Sequence, residues 1–146
     1  MDYSATIATP VAPELVGRQI VDDLALWWST RVDRGADGFT VRFNNSHATF
    51  AFDPGATQDR FAWTCTDAHM IMDGVDDVAE WKGTRLIWQI TPSDGGSMVT
   101  LTHQGLGPHI ACFDICQRGW QRFFEISLRD HLNGASAQPE TSRPAA

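Results

Sequence analysis

The order of patterns in the last third of the chain constrains the fold more than any other feature. Two strand-like segments, residues 81–91 and 97–104, are joined by a turn-forming Pro-Ser-Asp-Gly-Gly sequence at 92–96. A helical pattern follows and ends at Asn133-Gly134, where glycine can take the left-handed conformation of a helix stop. This order predicts the closing hairpin of an antiparallel sheet, followed by a long helix that covers it.

The predicted helix is amphipathic. At ~100° per residue, the charged side carries Asp114, Gln117, Arg118, Gln121, Arg122, Glu125 and Arg129. The opposite side carries Cys112, Phe113, Cys116, Trp120, Phe123, Phe124 and Ser127. Ion pairs at four-residue spacing contribute only ~0.2–0.5 kcal/mol each, whereas burial of a large apolar side chain contributes about 1.5–3 kcal/mol. The aromatic side is therefore expected to pack against the sheet, and its small residues either allow a close approach or leave space.

The segments before this unit read as strand, helices and strands. Residues 3–8 suit an edge strand, and apolar residues at helical spacing run from Leu15 to the Trp27-Trp28 pair, as one broken helix or two short ones. Alternating patterns predict strands at 39–43, 47–52 and 61–66, the first two joined by an Asn-Asn-Ser turn. Residues 67–77 suit a surface loop, although Met70, Ile71 and Met72 could make a short strand. Residues 135–146 are predicted to form a disordered tail because small residues and proline dominate them.

Length and charge narrow the class of protein. A chain of 146 residues suits one sizeable core. A net charge of -7 and a pI near 5.0 disfavour nucleic acid and anionic membranes as partners, because both require clustered basic residues. No signal peptide and no membrane-spanning apolar run is evident. Three cysteines, an odd number, favour a reducing cytoplasm over a disulfide framework.

Side-chain alternation predicts which residues face the helix. If Trp88 points inward, so do Leu86 and Ile90, and Val99, Leu101 and His103 match them on the next strand. Six tryptophans are more than an ordinary core needs, and tryptophan is rarely buried completely. Either these aromatic residues simply pack as a core, or they line a ligand cavity. The candidate lining residues are Trp28, Phe50, Trp63, Trp88, Leu101, His103, Cys116, Trp120, Phe123 and Ser127.

Three groups of residues could carry chemistry. His103, His109, Cys112 and Cys116 are of types that bind zinc, but their spacing matches no compact zinc module. Cys116 could be a nucleophile with His103 as its base, although burial would raise the pKa of the thiol. His103 or His47 could act as a general acid or base in a cavity. In each case a structural role is the simpler interpretation, so no catalytic residue, metal ion or cofactor is predicted.

Several motifs together resemble the SRPBCC superfamily, also called START-like or helix-grip. They are Glu80-Trp81-Lys82-Gly83-Thr84, Leu101-Thr102-His103-Gln104-Gly105-Leu106, Cys112, Cys116, Gly119-Trp120 and Ser127-Leu128. The pattern is most similar to the branch named after activators of a heat-shock chaperone's ATPase. The resemblance implies an α+β domain over residues 1–134, with a curved antiparallel β-sheet wrapped around a long C-terminal α-helix and two short helices near the N-terminus.

The resemblance also implies an apolar pocket between sheet and helix. We therefore expect the protein to bind a small hydrophobic or aromatic molecule, such as a lipid, in that pocket. Two alternatives stay open. One is a cyclase or aromatase-like enzyme that acts in the same cavity, and the other is a chaperone-activator-like module with a protein partner.

Overall fold

The computed structural model describes residues 1–144 as one antiparallel sheet covered by helices. Strands are β1 Tyr3–Thr9, β2 Arg31–Arg34, β3 Gly38–Phe43, β4 Ser46–Phe52, β5 Arg60–His69, β6 Arg85–Ser93 and β7 Gly96–Gln104. The N-terminal helices are α1 Pro13–Asp22 and α2 Leu24–Trp27. The C-terminal helix comprises α3 Phe113–Trp120, a π-helical segment Gln121–Leu128 and α4 Arg129–Leu132. This is the predicted helix-grip fold. Within residues 1–144, no helix has the length and apolar character needed to cross a membrane.

The seven strands lie in the order β1-β7-β6-β5-β4-β3-β2. All pairs are antiparallel, and β6 pairs with β7 so that Trp88 faces Leu101 and Leu86 faces His103. These four side chains are fully buried, which confirms the inward face predicted from alternation. A bulge where Thr49 pairs with Asp67 and Phe50 with Cys65 leaves Thr66 unpaired on β5.

Three strands differ most from the sequence predictions. Strand β2 is an edge strand that the sequence did not indicate, and it pairs only with β3. Strand β5 continues to His69, into the predicted surface loop, because residues 67–69 pair with β4 beyond the bulge. Strand β6 begins at Arg85 instead of residue 81, since residues 80–83 form turns.

The C-terminal helix buries every fourth residue along its length. The stripe consists of Cys112, Cys116, Trp120, Phe124, Leu128 and Leu132, all 5% exposed or less. In an α-helix of ~3.6 residues per turn, a four-residue stripe drifts ~40° around the axis at each step. The π-helical segment has more residues per turn and turns the stripe back, so Leu128 and Leu132 still face the sheet. The prediction made at ~100° per residue did not include these two leucines on the buried side.

The tail segment, residues 135–144, packs on the body of the protein. The backbone N–H of Glu140 donates to Trp28 O (2.7 Å), and that of Thr30 donates to Glu140 O (2.9 Å). The N–H of Gln138 donates to Ser127 Oγ (3.0 Å). The prediction of disorder for residues 135–144 is therefore corrected, because backbone hydrogen bonds that composition does not reveal hold the segment in place. Residues 145–146 lie outside the described residues.

Tryptophans fill the space between the sheet and the helices. Trp27 stacks on Trp28, with ring centroids 5.5 Å apart, and meets Trp88 edge-on at 6.1 Å. Trp63 lies 5.2 Å from Trp88, and Phe124 of the C-terminal helix lies 5.8 Å from it. Aromatic packing of this kind accounts for most of the unusual tryptophan content.

Candidate functional site

A cavity of about 520 Å³ lies beside the first half of the C-terminal helix. We call it the helix cavity. The helix forms one side, the β3–β4 turn and the residues after β5 form another, and the tail segment lies at its edge. Its lining residues are Trp28, Phe43, Asn44, Asn45, Ser46, Met70, Ile71, Met72, Trp81, Ile115, Cys116, Gly119, Trp120, Arg122, Phe123, Glu140 and Ser142.

Aromatic rings make up the rigid part of the wall. Trp81 stacks on Trp120 with ring centroids 6.1 Å apart and planes 10° apart. Trp28 lies 5.1 Å from Trp120, and Phe43 lies 6.1 Å from Phe123. Three of these rings are almost fully buried, so the packing behind them fixes their positions. A wall of this kind suits a flat apolar ligand.

Gly119 leaves an opening in the helix wall. A Cβ atom built at this residue would have no atom within 4 Å apart from its chain neighbours and the backbone of its own helix. The neighbouring positions on this side carry Cys116 and Phe123, so the missing side chain lets the cavity reach the helix backbone. The small residues predicted to leave space therefore do so at Gly119.

Glu80 and Trp81 fix the start of the helix against the sheet. The Glu80 carboxylate accepts hydrogen bonds from the backbone N–H groups of Ala111 (2.9 Å) and Cys112 (3.0 Å). A carboxylate at this place satisfies free N–H groups and complements the positive end of the helix dipole. The Glu80-Trp81-Lys82-Gly83-Thr84 motif thus anchors one end of the cavity.

His103 lies in a closed hydrogen-bond chain behind the wall. The indole N–H of Trp120 donates to His103 Nδ1 (3.0 Å), so the histidine proton is on Nε2, which is 2.9 Å from Thr84 Oγ1. The Thr84 hydroxyl in turn donates to Trp81 O (2.6 Å). Burial lowers the pKa of His103 to about 3. The ring is therefore neutral at pH 7, and both of its nitrogens are occupied.

Cys116 is the thiol that reaches the cavity. The indole N–H of Trp81 donates to its sulfur (3.2 Å), and Met72 Sδ lies 3.6 Å away. A hydrogen bond with the Cys112 thiol, and then burial, raise the pKa of Cys116. The thiol is protonated at neutral pH, which does not favour the nucleophile hypothesis.

The edge of the cavity carries one ion pair. Arg122 Nη1 lies 3.2 Å from Glu140 Oε1, and the Arg122 guanidinium lies 4.5 Å from the centre of the Phe123 ring. The second oxygen of Glu140 accepts a hydrogen bond from Ser142 Oγ (3.2 Å). The helix and the tail segment thus meet through charged groups at this edge.

Four of the ten residues predicted from the sequence line the helix cavity, namely Trp28, Cys116, Trp120 and Phe123. The other six lie in the packed interior next to it: Phe50, Trp63, Trp88, Leu101, His103 and Ser127. Ser127 donates to Trp27 O (2.7 Å) and so joins the helix to α2. Space that the prediction gave to a ligand is occupied here by indole rings from both sides.

Sequence reasoning missed several lining residues. Met70 and Met72 follow β5 in a predicted surface loop, and Arg122 belongs to the charged face of the helix. Only Trp81 carried a signal, because it stands in the Glu-Trp-Lys-Gly-Thr motif. Glu140 and Ser142 line the cavity because the tail segment packs beside it, and no local sequence pattern indicates where a tail packs.

The four residues of zinc-binding types considered in the sequence do not come together as a site. His103 is enclosed as described, and His109 lies in the loop before the helix, beside Gly107. In the part of the chain that the structure describes, no three histidine, cysteine or acidic side chains are placed to hold a metal ion. His47 lies on the exposed side of β4, 3.2 Å from Asp67, and does not line the helix cavity.

A second cavity of about 690 Å³ lies between α1 and the β4–β5 connection. Phe52, Phe61 and Trp63 form its apolar side, and Glu14, Arg18 and Asp22 of α1 form the other. Trp88 lies behind Phe61 and Trp63, and its indole N–H has no hydrogen-bond partner among the described residues. The wall is more charged than that of the helix cavity, so an apolar ligand fits it less well.

Comparison with solved structures shows that other proteins share this fold. The Aha1 protein from Colwellia psychrerythraea, solved as a dimer, superimposes with a TM-score of 0.71 at 20% identity, covering 91% of this chain and 96% of that one. A protein from Staphylococcus saprophyticus gives 0.68 at 15% identity, with coverage of 97% and 98%. DynU16, from the dynemicin biosynthetic locus, gives 0.68 at 15% identity, covering 94% of this chain and 49% of its own.

These likenesses confirm the resemblance predicted from the motifs at the level of the fold. The chain has the helix-grip fold and is similar in structure to Aha1 and to the other two proteins named above. No protein-family model matches the chain. No curated protein sequence matches it either.

Proposed function

We propose that this protein binds a small apolar or aromatic molecule in the helix cavity. The observation that carries the proposal is the opening at Gly119, which connects the helix backbone with about 520 Å³ of space. That volume lies within the range of small-molecule sites. Glycine is unfavourable inside a helix by ~1 kcal/mol relative to alanine. If the space beside Gly119 had no use, a larger residue there would stabilise the helix.

The walls supply both shape and adaptability. Trp28, Trp81 and Trp120 offer flat, rigid surfaces that lose little entropy when a ligand binds. Met70 and Met72 on the facing side have flexible thioether chains that can adjust to a ligand's outline. DynU16, which shares the fold, belongs to a biosynthetic locus, and a small-molecule ligand for this chain agrees with that setting.

A cyclase-like reaction has less support than binding. His103, the expected acid or base, has both nitrogens in hydrogen bonds and stays neutral. General acid-base catalysis needs a group within reach of the substrate's proton. A chaperone-activator role rests on a likeness at 20% identity, which concerns the fold.

Filling the cavity from the helix tests the proposal. We expect Gly119→Phe to remove binding of biphenyl-4-carboxamide, a neutral aromatic probe, because the new ring occupies the open space. The fold should persist, since helix stability rises when glycine is replaced. Isothermal titration and quenching of tryptophan fluorescence measure the binding, and denaturant unfolding measures stability.

Gly119→Ala is the matched control. It adds one methyl group, leaves most of the cavity open, and should raise the free energy of unfolding by about 0.5–1 kcal/mol while binding the probe. Equal binding by Gly119→Phe and wild type would place the ligand elsewhere. No binding by wild type to any flat apolar probe would remove the proposed function.

A further inference from the structure

The charges at the edge of the helix cavity indicate what kind of apolar molecule it binds. Among the lining residues, only Arg122 and Glu140 carry charge, and they face each other across the edge. The rest of the wall is aromatic, aliphatic, thiol, thioether, amide or hydroxyl. A ligand with a charged end therefore has one place in the cavity where that end can be paired.

The guanidinium of Arg122 is only partly used. It lies over the Phe123 ring and touches Glu140 through one nitrogen and one oxygen. A guanidinium has five N–H donors and binds a carboxylate best through two parallel hydrogen bonds. The Glu140 carboxylate supplies one of these two bonds in the structure, while its second oxygen accepts a hydrogen bond from Ser142 Oγ.

The pairing with Glu140 is easy to exchange. The Arg122 side chain is 48% exposed and that of Glu140 is 20% exposed, and ion pairs in such settings contribute little to stability. The tail segment does not depend on the pair, since the backbone of Glu140 is fixed to Trp28 and Thr30. Glu140 can therefore release Arg122 while the tail segment stays docked.

We propose that the ligand is an aromatic carboxylic acid, whose rings lie among Trp28, Trp120 and Phe123 and whose carboxylate displaces Glu140 from Arg122. The inference rests on the proposed function and names the class of molecule bound there. The net charge of -7 repels anions at long range. Selection of an acid must therefore come from the local pair of Arg122 and Glu140. Because displacing Glu140 from Arg122 costs free energy, only a ligand with enough apolar contact binds.

Two probes that differ only in charge test the inference. Biphenyl-4-carboxylate carries the acid, and biphenyl-4-carboxamide is its neutral counterpart of similar shape. We expect wild type to bind the carboxylate more tightly, and Arg122→Gln to weaken that binding about tenfold without changing the affinity for the carboxamide. Glu140→Gln should strengthen carboxylate binding severalfold and leave carboxamide binding unchanged, as judged by isothermal titration.

Arg118→Gln is the matched control for lost positive charge. Arg118 is exposed on the same helix and does not line the cavity, so both affinities should equal those of wild type. Raising the salt concentration should weaken the carboxylate alone, since screening acts on the charge pair. Dodecanoate in parallel distinguishes an alkyl acid from an aromatic one, and tighter binding of dodecanoate would overturn the aromatic assignment.

The outcomes separate this inference from the proposed function. If both probes bind equally in wild type and in the Arg122 and Glu140 variants, the acid assignment fails and apolar binding stands. If neither probe binds wild type, the proposed function fails and the inference with it. If Arg122→Gln binds neither probe, Arg122 maintains the shape of the cavity and does not distinguish the carboxylate from the carboxamide, which also overturns the inference.

Discussion

At the scale of single residues, His103 shows how burial can remove a histidine from chemistry. Trp120 and Thr84 satisfy both ring nitrogens, and burial holds the pKa near 3. The unfolded chain has a histidine pKa of ~6.5. Below pH ~6.5 the unfolded state binds a proton at His103 and the native state does not. The free energy of unfolding therefore decreases as the pH falls from ~6.5 towards the native pKa.

We expect this loss to appear as a steeper dependence of stability on pH. Once the unfolded histidine is protonated, one extra proton changes the free energy of unfolding by ~1.4 kcal/mol per pH unit. His103→Gln keeps a donor and an acceptor but does not titrate, so its slope between pH 6 and pH 4.5 should be smaller than that of wild type by about this amount. Urea unfolding at a series of pH values measures both slopes. Parallel curves would mean that His103 protonates in the folded protein.

At the scale of the element, the π-helical segment decides which residues of the C-terminal helix are buried. A uniform α-helix would turn Leu128 and Leu132 away from the sheet, but the structure buries both. Leu128 is fully buried, whereas Ile126, two residues earlier, is 45% exposed. Similar side chains on one turn thus have opposite environments.

Alanine substitutions at these two positions test the segment. We expect Leu128→Ala to reduce the free energy of unfolding by about 2–5 kcal/mol, as deletion of buried leucine atoms does. Ile126→Ala should change it by less than about 0.5–1 kcal/mol, as an exposed site does. Denaturant melts give both values. An effect at Leu128 as small as that at Ile126 would show that the π-helical segment does not bury this leucine.

How far the sequence predicted this protein depends on whether each feature is local. Alternation placed Trp88, Leu101 and His103 on the inner face, and the motif around Trp81 pointed to the fold, because these signals lie within single elements. The helix phase failed at Leu128, since nothing in the local pattern announces a change of helical pitch. The tail was misjudged because composition measures apolar burial, while Glu140 is held by backbone hydrogen bonds to residues more than a hundred positions earlier.

The candidate site was predictable only in part, for the same reason. Trp28, Cys116, Trp120 and Phe123 follow from periodicity and line the cavity. The division between filled and open space depends on how the indole rings of Trp63 and Trp88 pack with those from the helices. That packing is a property of the whole molecule, and no single segment encodes it.

At the scale of the whole molecule, the three thiols report how the fold opens. Cys65 and Cys112 are 1% and 0% exposed, and burial raises the pKa of Cys65 to about 12. Cys116 is 5% exposed and lies on the cavity wall. A thiol reagent can reach the first two only when the surrounding structure opens, so their reaction measures an unfolding equilibrium.

We expect all three cysteines to react with N-ethylmaleimide far more slowly in the native protein than after unfolding in urea. Gly119→Ala, which stabilises the helix, should slow Cys65 and Cys112 further, because labelling follows the population of the open state. Saturation with biphenyl-4-carboxylate should slow Cys116 most, since the ligand also covers its side of the cavity. Timed labelling followed by peptide mass spectrometry resolves each site. Rapid native labelling of Cys116 that the probe does not affect would mean that reagent reaches the thiol by another path, and the ligand would then have to lie away from the helix wall.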